Sequence, residues 1–205
     1  MENIKDKLFI VKDFIFPETC KFLVDQFSKE LKDTGQTGIF RGPVGHDNHL
    51  SKAEGINKNA SSVSGINKIS EKTNSPYNNI AIDIFTSVCT NIEKTVSEIF
   101  KRNLLLKSYF YSHMKSGGLN GLHRDNYSED QSDDFSAILY LSDNYEGGSI
   151  NFPKLGIDFK PSAGTLLSFI GNEELEHQVK EVVSGDRVNI VCFLSERRKH
   201  ENQDY

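Results

Sequence analysis

Three side chains in the second half of the chain have the types and spacing to hold a divalent metal. They are His123 and Asp125, two apart in His123-Arg124-Asp125, and His177 further on. Two imidazoles and one carboxylate make a facial ligand set that leaves coordination positions open, which suits a metal that must also bind a reactant. On an extended backbone residues i and i+2 point to the same side, so His123 and Asp125 can reach one ion. The third ligand then has to come from another strand, and His177 heads the run His177-Gln-Val-Lys-Glu-Val-Val. Arg124, between two ligands, points away as a rim residue. The competing reading makes His123 a strand cap and Asp125 the first acid of a solvated loop, 125–134, with Glu129, Asp130, Asp133 and Asp134. Those acids lack the regular alternation and central glycine of a helix-flanked calcium loop.

A cation and several phenols accompany the set. Arg187 follows the tight turn Ser184-Gly185-Asp186 and opens the apolar run Val188-Asn-Ile-Val-Cys-Phe-Leu. Burying a guanidinium without a partner is costly, so Arg187 either reaches solvent or meets an anion, and its fork matches a carboxylate. This points to an organic acid held near the metal. Tyr140, inside Ala137-Ile-Leu-Tyr140-Leu, needs a partner for its hydroxyl when buried. The far carboxylate of such an acid would serve, and so would a backbone carbonyl. Tyr109 and Tyr111 lie on the preceding strand and are further candidates for the pocket wall. His46 and His49 have polar, glycine-rich flanks and read as solvated surface residues.

These side chains need a β scaffold, and residues 104–195 supply one. Short β-prone runs cover Leu104–Tyr111, Phe135–Leu141, Gly148–Phe152, Ile157–Lys160, Gly164–Phe169, His177–Val183 and Arg187–Leu194. Between them stand Gly117-Gly118, Asp143-Asn144, Gly147-Gly148, Pro153, Pro161, Gly171-Asn172 and Ser184-Gly185-Asp186. That pattern predicts a sandwich or double-sheet jelly roll with helices packed outside. In the first half, Leu8–Val11 reads as a strand. Residues 18–32 form an amphipathic helix with Pro17 in its first turn, and 78–101 form a long helix striped by Ile80, Ile84, Val88, Ile92, Val96 and Ile99. Between the helices, 33–75 is rich in Gly, Ser, Asn and Lys. It repeats Gly-Ile-Asn-Lys only twice, at 55 and 65, too little for a solenoid. It reads as a long surface excursion with one or two short strands, either a lid or recognition segment or a tolerated insertion.

With 205 residues the chain is sized for one domain, 1–205: an N-terminal part over 1–101 and the β core over 104–195. Net charge of -5 without a basic run argues against a nucleic-acid partner. No membrane span or signal peptide is legible. The three scattered cysteines, Cys20, Cys89 and Cys192, fit buried free thiols in a reducing compartment, so a soluble cytoplasmic protein is expected.

Six fragments in register over about ninety residues resemble a known family. Tyr111 and Gly118 precede His123-Arg-Asp125, and Ala137-Ile-Leu-Tyr-Leu-Ser leads to Glu146-Gly-Gly-Ser-Ile-Asn-Phe. Then come Lys160-Pro-Ser-Ala-Gly-Thr-Leu-Leu-Ser-Phe, His177-Gln-Val and Gly185-Asp-Arg187-Val-Asn-Ile-Val-Cys-Phe. Together they resemble the catalytic domain of the prolyl-4-hydroxylase-like 2-oxoglutarate and Fe(II)-dependent dioxygenases. The resemblance implies a double-stranded β-helix in which His123, Asp125 and His177 bind Fe(II). It implies that Arg187 and Tyr140 grip the distal carboxylate of 2-oxoglutarate, with Tyr111 a further pocket member. Many relatives carry Lys where Arg187 stands, and the approach from Tyr111 to His123 is longer than usual. The implied chemistry is hydroxylation of an unactivated C–H bond with O2, with ascorbate as a candidate reductant. The implied substrate is a prolyl residue in a peptide or protein; a free amino acid or other small molecule is the alternative. A non-catalytic jelly-roll binding module is the reading from another class. A cupin-type site is disfavoured because it needs more histidines than this β half holds.

Overall fold

The computed structural model describes residues 1–4, 6–34, 60–63, 76–125 and 134–196. Two helices and thirteen strands are found among them, with two short 3-10 turns at Pro153–Leu155 and Glu173–Leu175. Helix α1 is Pro17–Thr34 and helix α2 is Pro76–Phe100. The strands are β1 (Glu2–Ile4), β2 (Leu8–Val11), β3 (Ala60–Val63), β4 (Leu104–Met114), β5 (Asn120–His123), β6 (Asp134–Tyr140) and β7 (Glu146–Gly147). They continue with β8 (Ile150–Phe152), β9 (Ile157–Phe159), β10 (Leu166–Ile170), β11 (His177–Val179), β12 (Val182–Ser184) and β13 (Arg187–Glu196).

A seven-stranded sheet in the order β1-β2-β10-β6-β13-β4-β3 carries the molecule, with every neighbouring pair antiparallel. Its strands alternate between two apolar faces. Ala137, Leu139, Leu166, Ile190, Cys192 and Leu194 face the helices and pack with Cys20, Leu23 and Phe27 of α1 and Phe85, Val88, Ile92 and Val96 of α2. Ile138, Tyr140, Leu167 and Phe169 face the other way and meet Ile150 and Phe152 from a four-stranded sheet, β5-β11-β8-β9. The period of two in β6, β10 and β13 is thus used on both sides, because helices cover one face and a second sheet the other. The result is mixed α/β, with more helix packed into the core than a mainly β description conveys. All three cysteines are buried and free, and burial pushes the Cys20 thiol up to about 11.

Several expectations needed adjustment. Ile80 is largely exposed, because the buried stripe of α2 runs through Ala81, Phe85, Val88, Cys89, Ile92 and Val96 and leaves Ile80 rotated outward. The strand expected over Gly148–Phe152 begins only at Ile150. Gly147 and Gly148 both have left-handed φ, +70° and +60°, which ends β7 and turns the chain before β8. The run His177–Val183 splits: β11 pairs with β5 and β8, whereas β12 pairs with β7 in a separate two-stranded ribbon. Of the 33–75 excursion, Asp33 and Thr34 close α1 and Ala60–Val63 forms β3 on the edge of the large sheet. The rest of it, with His46 and His49, lies outside the described residues, as do 126–133 of the acidic loop. No described helix is long and apolar enough to cross a membrane.

Candidate metal centre

His123 is the last residue of β5 and His177 the first of β11, and the two strands pair with His177 opposite His123. That register brings the imidazoles together, ring centroids 4.4 Å apart. Asp125 lies two residues beyond His123, its Oδ1 3.4 Å from His123 Nε2 and its Oδ2 3.8 Å from His177 Nε2. One ligand atom from each of the three residues lies within 4.8 Å of the others, a set able to hold a metal ion.

The surrounding hydrogen bonds fix which ring nitrogens are free. His123 Nδ1 lies 2.7 Å from the Gly121 carbonyl and His177 Nδ1 3.1 Å from the Leu175 carbonyl. A carbonyl only accepts, so each Nδ1 carries a hydrogen and, in the neutral ring, each Nε2 keeps its lone pair toward Asp125. The Asn120 amide nitrogen, 3.3 Å from His123 Nε2, donates to that lone pair. Ser136 Oγ, on the inward face of β6, donates to Asp125 Oδ2 at 2.5 Å and orients the carboxylate. Phe152 and Phe169 flank His177, with ring centroids at 5.3 and 4.8 Å, and keep water from its back.

Electrostatics keep the set ready for a cation. Burial opposes ionisation of Asp125, but the two imidazoles and the bonds from His123 and Ser136 outweigh it and bring the carboxyl to about 2. Burial lowers the His177 imidazole, against the pull of Asp125, and leaves it neutral. At His123 burial again disfavours the charged form, yet the hydrogen bond and charge of Asp125 prevail and raise its value. Two lone-pair nitrogens around a carboxylate are mutually repulsive unless a proton or cation lies among them.

Arg187 enters from β13 after the turn at Gly185 (φ +78°), where Ser142 Oγ donates to the Asp186 carbonyl and accepts from Val188 N. Its side chain is 2% exposed. Nε donates to the Gly148 carbonyl at 3.0 Å, Nη2 to the Tyr140 hydroxyl at 3.1 Å, and Nη1 lies 3.7 Å from Met114 Sδ. With the Asn189 amide oxygen turned toward the guanidinium, Nη1 also donates to it at 2.6 Å. All these partners are neutral, so the charge has no described carboxylate against it, and its field reaches His177. Tyr140 is on the same inward face, fully buried.

Tyr111 is on the other face. Its register partners are Ile190 and, through it, Leu139, and it packs under α1 with its ring 5.2 Å from that of Phe27. Tyr109, two residues away, stacks toward Phe85 of α2 at 5.8 Å. The expected pocket place for Tyr111 is therefore corrected: Tyr109 and Tyr111 lie on the helix-covered face, and a register shift further back in β4 puts Leu104 and Leu106 on that face as well. Ser136, Asn189 and Tyr145 escaped the sequence reading. Their signal was there in part, since Ser136 and Asn189 are polar residues at inward positions of otherwise apolar strands.

Residues 109–195 match the model of the 2OG-Fe(II) oxygenase superfamily, a stretch holding all three candidate ligands, Tyr140 and Arg187. Over this stretch, rather less than half of its length, the chain is similar to that superfamily. Among curated proteins it is similar to prolyl 3-hydroxylase 2 of Rattus norvegicus, 33% identical over 67 residues, which is 30% of this chain and 10% of that protein. Prolyl 3-hydroxylase 1 of Gallus gallus is 32% identical over 76 residues, 35% of this chain and 10% of its own length. The match thus spans about a tenth of the length of these relatives. In fold the chain is similar to a prolyl hydroxylase of Trichoplax adhaerens, solved in complex with a hypoxia inducible factor oxygen degradation domain peptide fragment. There the TM-score is 0.69 and the identity 14%, over 98% of this chain and 89% of that one. The viral collagen prolyl hydroxylase of Paramecium bursaria Chlorella virus-1 gives a TM-score of 0.62 at 15% identity, over 94% and 97%. A Pseudomonas putida prolyl-4-hydroxylase gives 0.60 at 15%, over 94% of both chains. The fold is accordingly a mixed α/β one resembling the double-stranded β-helix of 2-oxoglutarate oxygenases.

Proposed function

We propose that the chain is a 2-oxoglutarate- and Fe(II)-dependent dioxygenase that hydroxylates an unactivated C–H bond, with a prolyl residue of a peptide or protein as its substrate. The observation that carries this reading is the convergence of His123, Asp125 and His177 within 4.8 Å, with each histidine's Nδ1 tied to a carbonyl. The donor set fits Fe(II): two neutral imidazoles and one carboxylate leave three positions of an octahedron for the cosubstrate and O2. In this reading residues 1–205 act as one catalytic domain, and the two facing sheets form the jelly roll whose His123, Asp125 and His177 would hold the metal.

When bound, the iron supplies O2 activation coupled to oxidative decarboxylation of 2-oxoglutarate. One oxygen atom goes into succinate, released with CO2, and the other into the substrate C–H bond. The chain's own groups do the positioning. His123, Asp125 and His177 hold the ion, and Ser136 keeps the carboxylate aimed. Arg187 and Tyr140 take the far carboxylate of 2-oxoglutarate through a charge-assisted fork and a hydroxyl. Phe152 and Phe169 exclude water behind His177. Ascorbate belongs to this scheme as the reductant that returns oxidised iron to Fe(II).

The prolyl assignment is supported by the similar proteins, which include a prolyl 3-hydroxylase and a prolyl-4-hydroxylase. The test is turnover. Protein supplied with Fe(II), 2-oxoglutarate, O2 and ascorbate should release succinate, and a proline-rich peptide should raise that release and gain one oxygen atom. Free proline run in parallel separates peptide from amino-acid substrates. No succinate under any of these conditions would sink the enzyme reading and return the chain to a binding module.

A further inference from the structure

Next to Arg187 lies a buried hydroxyl that the reading above leaves unused. Tyr145 is 3% exposed and packs with Met114, Val179 and Val182. Its ring is fixed from several sides. The Lys160 ammonium sits 4.3 Å from the ring centroid and also donates to the Tyr145 carbonyl. Gly148 passes so close that a Cβ there would stand 3.0 Å from Tyr145 Cε2 and 3.1 Å from Arg187 Cδ. Tyr145 and Arg187 therefore approach the same glycine from two sides.

Among the described residues, the Tyr145 hydroxyl has no acceptor for its hydrogen. The groups whose charge it feels are Arg187, whose guanidinium comes within hydrogen-bonding reach, then Tyr140 and, least, the Asp143 carboxylate, which accepts from Ala163 N. A guanidinium only donates, and no hydrogen bond joins the Tyr145 hydroxyl to Tyr140, whose oxygen accepts from Arg187 Nη2. Burial holds the Tyr145 phenol up at about 12, against the pull of Arg187, so it stays protonated and remains a donor. A buried hydroxyl left without an acceptor destabilises a protein, and such groups in a folded chain call for an explanation. A guanidinium and two phenols, all able to donate, form a buried cluster suited to an anion with several lone pairs.

We propose that Tyr145 is a third binding group for the distal carboxylate of 2-oxoglutarate, donating its hydroxyl hydrogen beside Arg187 and Tyr140. This rests on the cosubstrate reading given above and extends it to a residue outside the family fragments. Because Tyr145 immediately precedes β7, the bond also ties the β7–β12 ribbon to the bound cosubstrate.

Tyr145→Phe keeps the ring and removes only the hydroxyl. Calorimetric titration of 2-oxoglutarate into Mn(II)-loaded wild type and variant should show affinity weakened about tenfold in the variant, with Mn(II) affinity unchanged. The metal-free variant should melt at the same temperature as wild type or above it, since an unsatisfied group is gone. Equal cosubstrate affinity in both proteins overturns the role of Tyr145 alone. A variant that melts well below wild type and binds both metal and cosubstrate poorly marks a structural hydroxyl, which also overturns it. Failure of the wild type itself to bind 2-oxoglutarate overturns the reading of Arg187 and Tyr140, and this proposal with it.

Discussion

At the scale of single residues, the site is a set of small electrostatic decisions. Asp125 is held at about 2 by the imidazoles and Ser136 despite burial, so it is a carboxylate throughout the range in which the histidines titrate. Protonation of His123 sets the lower limit instead. Asp125 raises its value above the ordinary imidazole 6.5, and a metal must displace that proton. Metal affinity is therefore full well above this value and falls as pH drops through it, by about tenfold per unit for one proton. A Mn(II) titration between pH 8 and pH 6 checks the sign, since a flat profile would mean His123 is not a ligand. Ser136→Ala removes the bond that aims Asp125 and should weaken metal binding about tenfold without unfolding the chain, as outer-shell partners generally do. Arg187→Lys keeps the charge but loses the fork that reaches Gly148, Asn189 and Tyr140. We expect the KM for 2-oxoglutarate to rise about tenfold, with a smaller change in kcat.

At the scale of elements, strand register and two consecutive glycines decide who meets whom. His177 lies opposite His123 only because β11 pairs with β5 in that register; a slip by one residue would turn one imidazole outward. The sequence made the ligand types and the strand histidine legible, because polar residues at the head of apolar runs stand out. The face of Tyr111 was not legible, since β4 is long, apolar on both sides and paired across its length, so nothing local says which parity meets the helices. The break after Val179 was likewise hidden within a β-prone run, whereas the glycine pair 147–148 was legible as a turn. Gly148→Ala tests this scale. It would place a methyl 3.0 Å from Tyr145 and Val182 at a φ of +60°. It should cost about 1–3 kcal/mol of stability in thermal or urea unfolding and also weaken 2-oxoglutarate binding.

At the scale of the molecule, one sheet serves two purposes. Its outer face packs on α1 and α2 to make the larger core, and its inner face joins the second sheet to frame the metal set. Ile92, fully buried between α2 and the sheet, is far from the ligands in this layering. Ile92→Ala should therefore lower stability by about 2–5 kcal/mol while leaving the cosubstrate affinity of the folded protein near that of wild type. The helical stripes of α1 and α2 and the near-continuous apolar runs of β6, β10 and β13 accord with this two-sided sheet. What periodicity could not announce was the pairing order, which depends on contacts distant in sequence. The measurement that bears most directly on the whole is the anaerobic visible spectrum of the protein with Fe(II) and 2-oxoglutarate. Wild type should develop a weak metal-to-ligand charge-transfer band that is absent in folded Asp125→Ala. A wild-type spectrum without that band, in protein shown to be folded, would contradict the assignment of His123, Asp125 and His177 as the iron ligands.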